Sequence, residues 1–431
     1  MILFSGVPAF WQWWFTLALL VVLYTLTWKS ILYRSSRKWQ NQDSQTAFPR
    51  GHHPLLWVFL VPALNEEITL QQTVQKLLDL PIKNKYILVI DDASDDQTPA
   101  ILNSFDDPDL GVLRRDFPAA QTGKAHSLNQ AYQELAGIIA VSGFSRHNTL
   151  LTVVDADGYV DDDIEDRISK SFQDPRLGGL QLQVRIYNRH KLITKLQDIE
   201  FGVFGYLFQA GRSRWNTACM GGSGQVTRVA ALDDIIDDGS DGPWRDKLTE
   251  DQDLGLRLMM KDWGLLHLND CFVHQQGLYS MRALLRQRVR WSQGNLQTIP
   301  VWRELWNSKL GRLGKLEMIG FLFMPFLQLI VGVALIGALW LWLSGQSDLL
   351  PLNNLILLGV FYVLGVGGVI LGCTAGAPSC GKKTYWQGFL IAHPYIIYTW
   401  ILWPVLVRAL VRVIMRKDSW SKTEREVLAA A

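Results

Sequence analysis

Several features that mark large protein classes are scarce in this sequence. Its 431 residues include only four cysteines (Cys219, Cys271, Cys373, Cys380), scattered and without a CxxC pair. That leaves no basis for a disulfide framework or a cysteine zinc site, is compatible with a reducing compartment, and marks the thiols as packing residues. Net charge is scarce too, at +2. No basic tract of the kind that tracks phosphates is present, so a nucleic-acid partner is not expected. No charge precedes the first apolar run, Phe10 to Trp28. A secretory signal peptide would carry its positive charges there.

What is abundant is apolar length. Lys29, Arg34, Arg37 and Lys38 follow the first run, which predicts an uncleaved anchor over 1–34 with an outside N-terminus. Near the other end, 317–344 and 353–372 are each long enough to span, and 385–407 is a third such stretch. His393, Pro394 and Pro404 predict a kink or a re-entrant course in that third stretch. Many of the 18 tryptophans stand at the ends of these runs, as interfacial residues do. Residues 281–316 read as interfacial amphipathic helices, 317–416 as a membrane region and 417–431 as a basic tail. One helix before the central block and three after it would put Arg408, Arg412, Arg416 and Lys417 outside, against the charge rule. A last stretch that dips in and returns would keep them inside, and both courses stay open.

After a linker over 35–54, the block 55–280 alternates short apolar runs with helical patterns, the mark of an α/β sheet. Leu56–Val61 is a buried-strand run ending at Pro62, and Ile87–Ile90 is a second that ends at Asp91 and Asp92. Leu151–Val154 runs into Asp155-Ala156-Asp157, and Leu180, Leu182, Val184 and Ile186 alternate like a half-buried strand. Carboxylates therefore gather where strands end, which is where ligand crevices lie in parallel sheets. Asp95 or Asp96, by contrast, reads as a cap for the helix that opens at Thr98-Pro99.

Asp155 and Asp157, two apart on an extended chain, face one side and can offer hard oxygens to Mg²⁺ or Mn²⁺ beside a diphosphate. Thr249-Glu250-Asp251-Gln252 opens a helix, with Thr249 and Gln252 spaced for a capping box. A carboxylate in that first turn is held ionised and suits a general base. Gln287-Arg288-Val289-Arg290-Trp291 lies on an interfacial helix with Arg282 and Arg286. An arginine there can fork a diphosphate and the indole can stack on a sugar, although a basic helix resting on headgroups explains the pattern as well.

In their order along the chain these elements resemble the inverting glycosyltransferase family 2, in its membrane-integrated cellulose-, chitin- and hyaluronan-synthase-like branch. The matching residues are Val61-Pro62-Ala63-Leu64-Asn65-Glu66, Asp91-Asp92-Ala93-Ser94, Gly123-Lys124-Ala125 with Leu128-Asn129, Asp155-Ala156-Asp157, Gly222-Ser223-Gly224 with Arg228, Thr249-Glu250-Asp251 and Gln287-x-x-Arg290-Trp291, over about 55–295. The resemblance implies a GT-A (Rossmann-like) fold and a UDP-sugar donor. Pro62, Asn65, Glu66, Asp91 or Asp92, Lys124, Asp155, Gln287 and Arg290 would bind that donor. Asp157 would hold the metal, Asp251 with Glu250 would be catalytic, and Gly222, Ser223, Gly224 and Trp291 would meet the acceptor. Ala93 departs from the glycine often found after the aspartate pair and stiffens that turn.

Two activities fit. The leading expectation is a processive synthase that extends a β-linked polysaccharide into its own membrane helices, with Tyr395, Tyr398, Trp400 and Trp403 along a sugar path. Lipid-facing belt positions explain those aromatics equally well. The alternative is a lipid glycosyltransferase with a diacylglycerol or polyprenyl acceptor, since so few helices make a narrow channel unless a second copy or an accessory secretion subunit adds to them. In either case the expected setting is the plasma (inner) membrane with the catalytic domain in the cytoplasm, among membrane lipids. A transporter with a nucleotide-sensing domain fits less well, because four spans are few for a repeat-built carrier.

Overall fold

The structure of the protein, a computed structural model, describes residues 4, 6–43, 54–346, 355–376 and 385–417. Its elements run α1 (Ala9–Asp43), β1 (Leu56–Ala63), α2 (Leu70–Leu78), β2 (Lys85–Asp91), α3 (Thr98–Asn103), β3 (Leu110–Arg114), α4 (Lys124–Ser142), β4 (Thr149–Val153) and β5 (Tyr159–Val160). They continue α5 (Ile164–Ser171), β6 (Leu177–Ile186), α6 (Leu192–Val203), a π-helical segment (Phe204–Gln209), α7 (Ala210–Ser213), β7 (Gln225–Arg228) and α8 (Val229–Asp233). The chain closes with α9 (Glu250–Met260), β8 (Gly264–Gln275), α10 (Met281–Gln297), α11 (Trp302–Asn307), α12 (Arg312–Leu343), α13 (Leu355–Gly376) and α14 (Tyr385–Ile414).

The eight strands form one mixed sheet in the order β3-β2-β1-β4-β7-β6-β8-β5. The first four are parallel, as the alternating pattern predicts. The second half is not uniformly so: β7 is antiparallel to both its neighbours, and β5 is antiparallel to β8. Strand β1 reads as one apolar run because both its faces are covered. Trp57, Phe59 and Val61 pack with Val74 and Leu77 of α2 and Ile164 and Ile168 of α5. Val58 and Leu60 pack on the other face with Leu128, Ala131 and Leu135 of α4 and Leu254 and Leu258 of α9. Each such aliphatic side chain stabilises the fold by about 1.5–3 kcal/mol when fully buried.

Strand β6 differs from expectation. Its alternating apolar residues are buried, but so are Gln181, Gln183 and Arg185 between them. The helical layer of α6 covers part of this polar face, with Gln183 Nε2 donating to the Phe201 carbonyl and Arg185 pairing with Asp198 at 3.2 Å.

Three helical stretches, Ala9–Trp39, Arg312–Leu343 and Trp386–Ile414, are long and apolar enough to cross a membrane, and α13 is a further apolar helix. Helix α1 runs on to Asp43, past the anchor boundary at 34, because Ser36 donates to the Tyr206 carbonyl and Leu32 packs where Gly211 has no side chain. Helix α14 passes through Pro394 and Pro404 without interruption. The sheet and the long apolar helices share a core, since Met318 and Leu322 of α12 belong to the same cluster as the α4 and α9 side chains. Of the four cysteines, Cys219, Cys271 and Cys373 are free and buried, whereas Cys380 lies outside the described residues. So do half of the linker (44–53) and all of the tail beyond Lys417.

Candidate active site

The carboxyl ends of β1, β2 and β4 open into a cavity of about 730 Å³. Strand β1 ends there at Pro62 and Ala63, β2 leads to Asp92, and β4 leads to Asp155 and Asp157. Helix α4 brings Lys124, α9 brings Glu250 and Asp251, and α10 brings Gln287, Arg290 and Trp291. Glu66 and Gly222 complete the predicted residues in its lining. Residues more than 200 apart in sequence are thus gathered into one site.

Four predicted residues stand behind the wall instead. Asn65 bridges two turns, donating to Asp95 Oδ1 at 2.6 Å and accepting from the Asp95 backbone N–H at 2.9 Å. Asp91 is buried, paired with Arg114 and accepting from the Ser94 N–H. Ser223 Oγ accepts from the Asp155 N–H at 3.2 Å, so it shapes the aspartate turn. Gly224, at φ +73°, leaves room for Val273. Arg228 is likewise turned away, with its guanidinium on the carbonyls of Phe172, Asp174 and Leu177. Ala93 adopts φ 58°, a left-handed conformation that a glycine would take without strain.

Lys124 is the centre of the charge pattern. Its Nζ donates to Asp155 Oδ1 at 2.7 Å and lies 3.8 Å from Glu250. Burial alone would lower its pKa, but Asp155, Glu250 and Asp251 outweigh that and hold it above the usual lysine range. Asp251 moves the other way from a simple surface carboxylate. Burial and then the charge of Glu250 push it up to about 7, against the pull of Lys124 and the Gln252 N–H. The expected stabilisation of its anion by the helix terminus is therefore overridden. The capping box does not form either: Thr249 makes no side-chain cap bond, and Gln252 Nε2 donates to Thr298 at 3.0 Å. At the start of α3 the N-cap is Gln97, and Asp96, one residue before it, accepts from the Thr98 N–H at 2.8 Å.

Gly222, at φ +76°, brings bare backbone against Asp251, since a Cβ there would sit 3.2 Å from Asp251 Oδ2. Asp157 is buried and accepts from the Gln276 N–H at 3.3 Å. The lining holds eight carboxylates (Glu66, Asp92, Asp155, Asp157, Glu200, Asp246, Glu250, Asp251) against Lys124, Lys247 and Arg290. Arg115 and Arg288 neutralise Asp92 and Glu200 from behind, which leaves six against three. An anionic diphosphate needs more positive charge than that. Among the described residues no three His, Cys, Asp or Glu side chains form a metal cluster. Mg²⁺-type sites commonly rest on one or two carboxylates completed by substrate phosphates, so the donor set of Asp155 and Asp157 fits such an ion.

Sequence reasoning missed part of the wall. Glu200 and Phe201 of α6, Phe204 of the π-helical segment, Met220 and Phe321 of α12 all line the cavity. A lone acid in the apolar pattern Ile199-Glu200-Phe201 was the available signal. The path residues in α14 do not line it: Tyr395 and Tyr398 are buried in a cluster with Leu196, Ile199 and Leu284, and Trp403 donates to the Gln328 carbonyl. His393 bonds Tyr362 at 2.6 Å, tying α14 to α13.

Comparison with known proteins places these features. The family described as "Glycosyltransferase like family 2" matches residues 53–294. The chain is 32% identical over 289 residues to a beta-monoglucosyldiacylglycerol synthase of Synechocystis sp., a match covering 65% of this chain and 57% of that protein. It is 26% identical over 257 residues to a poly-beta-1,6-N-acetyl-D-glucosamine synthase of Staphylococcus epidermidis, covering 58% of this chain and 56% of that one. The chain thus spans little more than half the length of these relatives. A mannosyltransferase from Pyrobaculum calidifontis, solved with GDP-Man and Mn²⁺, superimposes with a TM-score of 0.62 over 93% of this chain and 99% of its own, at 18% identity, and so shares the fold. With the matched stretch running from before β1 through Trp291, the chain belongs to glycosyltransferase family 2, a family of enzymes that use nucleotide-sugar donors.

Proposed function

We propose that the protein is an inverting lipid glycosyltransferase that moves a hexose from a UDP-sugar to a diacylglycerol-like acceptor at a membrane surface. The observation that carries this is the position of Phe321. It belongs to α12, a helix of membrane-spanning character, yet it lines the same cavity as Asp251. Phe201, Phe204 and Trp291 extend that wall into an apolar face. A hydroxyl on a lipid can reach the base along such a face without leaving an apolar environment, whereas a free sugar gains little from three phenylalanines. The glucosyldiacylglycerol synthases among the relatives support the same acceptor class.

In this mechanism Asp251, at a pKa near neutrality, accepts the proton of the acceptor hydroxyl as oxygen attacks the anomeric carbon. Gly222 gives that hydroxyl access, and Glu250 keeps Asp251 basic enough to serve. Lys124 and Arg290 face the diphosphate and stabilise the charge it gains on leaving. Asp92 and Glu66 bind the nucleoside end. Asp157, with Asp155 beside it, would hold Mg²⁺ or Mn²⁺, which supplies the remaining neutralisation of the diphosphate. One attack from the side opposite the leaving group inverts the anomeric centre.

A polymer synthase is the second reading. Gln287, Arg290 and Trp291 line the cavity together, and the poly-N-acetylglucosamine synthases are also relatives. The two are separated with purified protein in nanodiscs, radiolabelled UDP-glucose or UDP-N-acetylglucosamine, Mg²⁺ or Mn²⁺, and dioctanoylglycerol. Label that enters the organic phase only when the lipid is added is the expected result. A large, glycosidase-sensitive aqueous product formed without lipid would overturn the lipid assignment.

A further inference from the structure

Inside the Gln287-x-x-Arg290-Trp291 element, the buried arginine is the intervening Arg288, only 6% exposed. Every arm of its guanidinium is engaged. Nη2 and Nε donate to the two oxygens of Glu200 at 2.6 and 3.2 Å, and Nη1 donates to Gln287 Oε1 at 2.6 Å. The guanidinium carbon lies 4.1 Å from the centre of the Trp291 ring. Phe201, next to Glu200, meets the same indole edge-on, with centroids 6.2 Å apart. Glu200 Oε2 also accepts from the hydroxyl of Tyr398, at 2.7 Å. Tyr398 is 2% exposed, belongs to α14, and lines no part of the cavity.

A planar fork held at three points cannot rotate, so it fixes whatever packs on its face. Here that is an indole that lines the cavity, held by a cation–π contact. The amide of Gln287, which also lines the cavity, is fixed by the same group. The anchoring carboxylate is in turn oriented by a hydroxyl from a helix of membrane-spanning character. Packing alone would be served by an apolar residue in place of Tyr398. A hydroxyl aimed at the one carboxylate that holds Arg288 points to a more particular task.

We propose that Tyr398, Glu200 and Arg288 form a positioning relay through which the membrane helix α14 sets the pose of Trp291 and Gln287, and so the affinity for the acceptor. The relay rests on the assignment of Trp291 to the acceptor end of the cavity. Tyr398 and Arg288 act through other side chains and are positioning residues.

The test is a double-mutant cycle on steady-state kinetics in nanodiscs, with Tyr398→Phe, Trp291→Phe and the combination. Dioctanoylglycerol with UDP-glucose is the first acceptor and donor pair. If wild-type protein shows no saturable dependence on that lipid, the lipid-acceptor reading has failed by itself. The cycle is then run with UDP-N-acetylglucosamine and an N-acetylglucosamine oligosaccharide. Losing one hydrogen bond from the buried Tyr398 to the half-buried carboxylate of Glu200 should raise the acceptor KM about tenfold in Tyr398→Phe. The donor KM should stay within about twofold, and the effect should vanish in the Trp291→Phe background. Glu200→Gln, which keeps the shape and removes the charge, should reproduce the rise. An unchanged acceptor KM, equal changes in both KM values, or effects that simply multiply in the double mutant would each overturn the relay.

Discussion

The most exposed consequence of the site is the pH dependence of Asp251. Its carboxyl is pushed up to about 7 by burial and then by the neighbouring charge of Glu250. A general base works only when deprotonated, so the rate should follow the ionised fraction. With a pKa near 7 that fraction is about a tenth at pH 6 and about nine-tenths at pH 8. The expected profile of kcat/KM therefore climbs about tenfold between those pH values, where an ordinary aspartate would give a flat line. Glu250→Gln supplies the discriminating perturbation. It removes a negative charge that raises the Asp251 pKa, so the acid limb should move to lower pH, and the variant should keep a larger share of its own maximum at pH 6. Lys124→Gln removes a positive charge that lowers it, and should move the limb the opposite way. Asp251→Asn should abolish the limb and cost about 10²–10⁴ in rate, while UDP binding measured by calorimetry persists. An acid limb that ignores both charge changes, or wild-type turnover in Asp251→Asn, would refute the assignment of the base.

Chelation gives a second check: EDTA should stop transfer and Mn²⁺ or Mg²⁺ should restore it, with Asp157→Asn demanding far more metal, whereas full activity in chelator would remove the role given to Asp157. Gly222→Ala places a Cβ 3.2 Å from Asp251 Oδ2 at φ +76°. It should cost about 1–2 kcal/mol of backbone strain and depress turnover more than donor binding, so a fully active variant would show that the loop is not the acceptor cradle. Arg212 and Glu317 are both nearly inaccessible and paired at 2.7 Å, so Arg212→Ala leaves a buried carboxylate without its counter-charge, held only by the Trp28 indole. The expected loss is about 3–5 kcal/mol, seen as a lower thermal midpoint in detergent, and an unchanged midpoint would contradict the burial.

Much of this was readable in the sequence because the first half of the sheet obeys simple rules. Continuous apolar runs such as Leu56–Val61 mark strands covered on both faces, and the carboxylates at their ends mark the cavity. Asp157 was legible for the same reason, whereas Asp251 and Arg290, on α9 and α10, were legible only through the resemblance to the family. The less legible half fails where polar side chains are spent on the interior. Gln181 and Gln183 alternate with Leu180 and Leu182 as solvent-facing residues would, yet Gln181 is buried and holds the loop at Gly222, accepting from the Gly221 N–H and donating to the Ser223 carbonyl, both at 2.8 Å. Asp91 and Asp92 are indistinguishable as letters, and they part in the fold by their partners, Arg114 at the end of β3 for Asp91 and Arg115 just beyond it for Asp92. Phe321 could not be assigned to a cavity, because membrane-spanning composition hides which side chain faces what.

That last failure reflects how the molecule is joined. Division into a catalytic block and a membrane region suggests two bodies on a hinge, but polar ties buried between them argue for one. Arg212 of α7 pairs with Glu317 of α12, which also accepts from the indole of Trp28 in α1. Tyr398 of α14 reaches Glu200 of α6. Gln293 of α10, wholly buried, accepts from Arg412 Nε at 2.7 Å and donates to the Lys417 carbonyl at 2.8 Å. The last tie bears on the basic end of α14. Arg412 and Lys417 rest against the helix that carries Trp291, so they lie on the same side as the sheet domain. Each tie would leave an unsatisfied buried polar group if the parts separated, at a cost of about 1–3 kcal/mol apiece and more for the charged ones. Movement between the parts is therefore opposed near the cavity itself, whose wall is already set by helices on both sides.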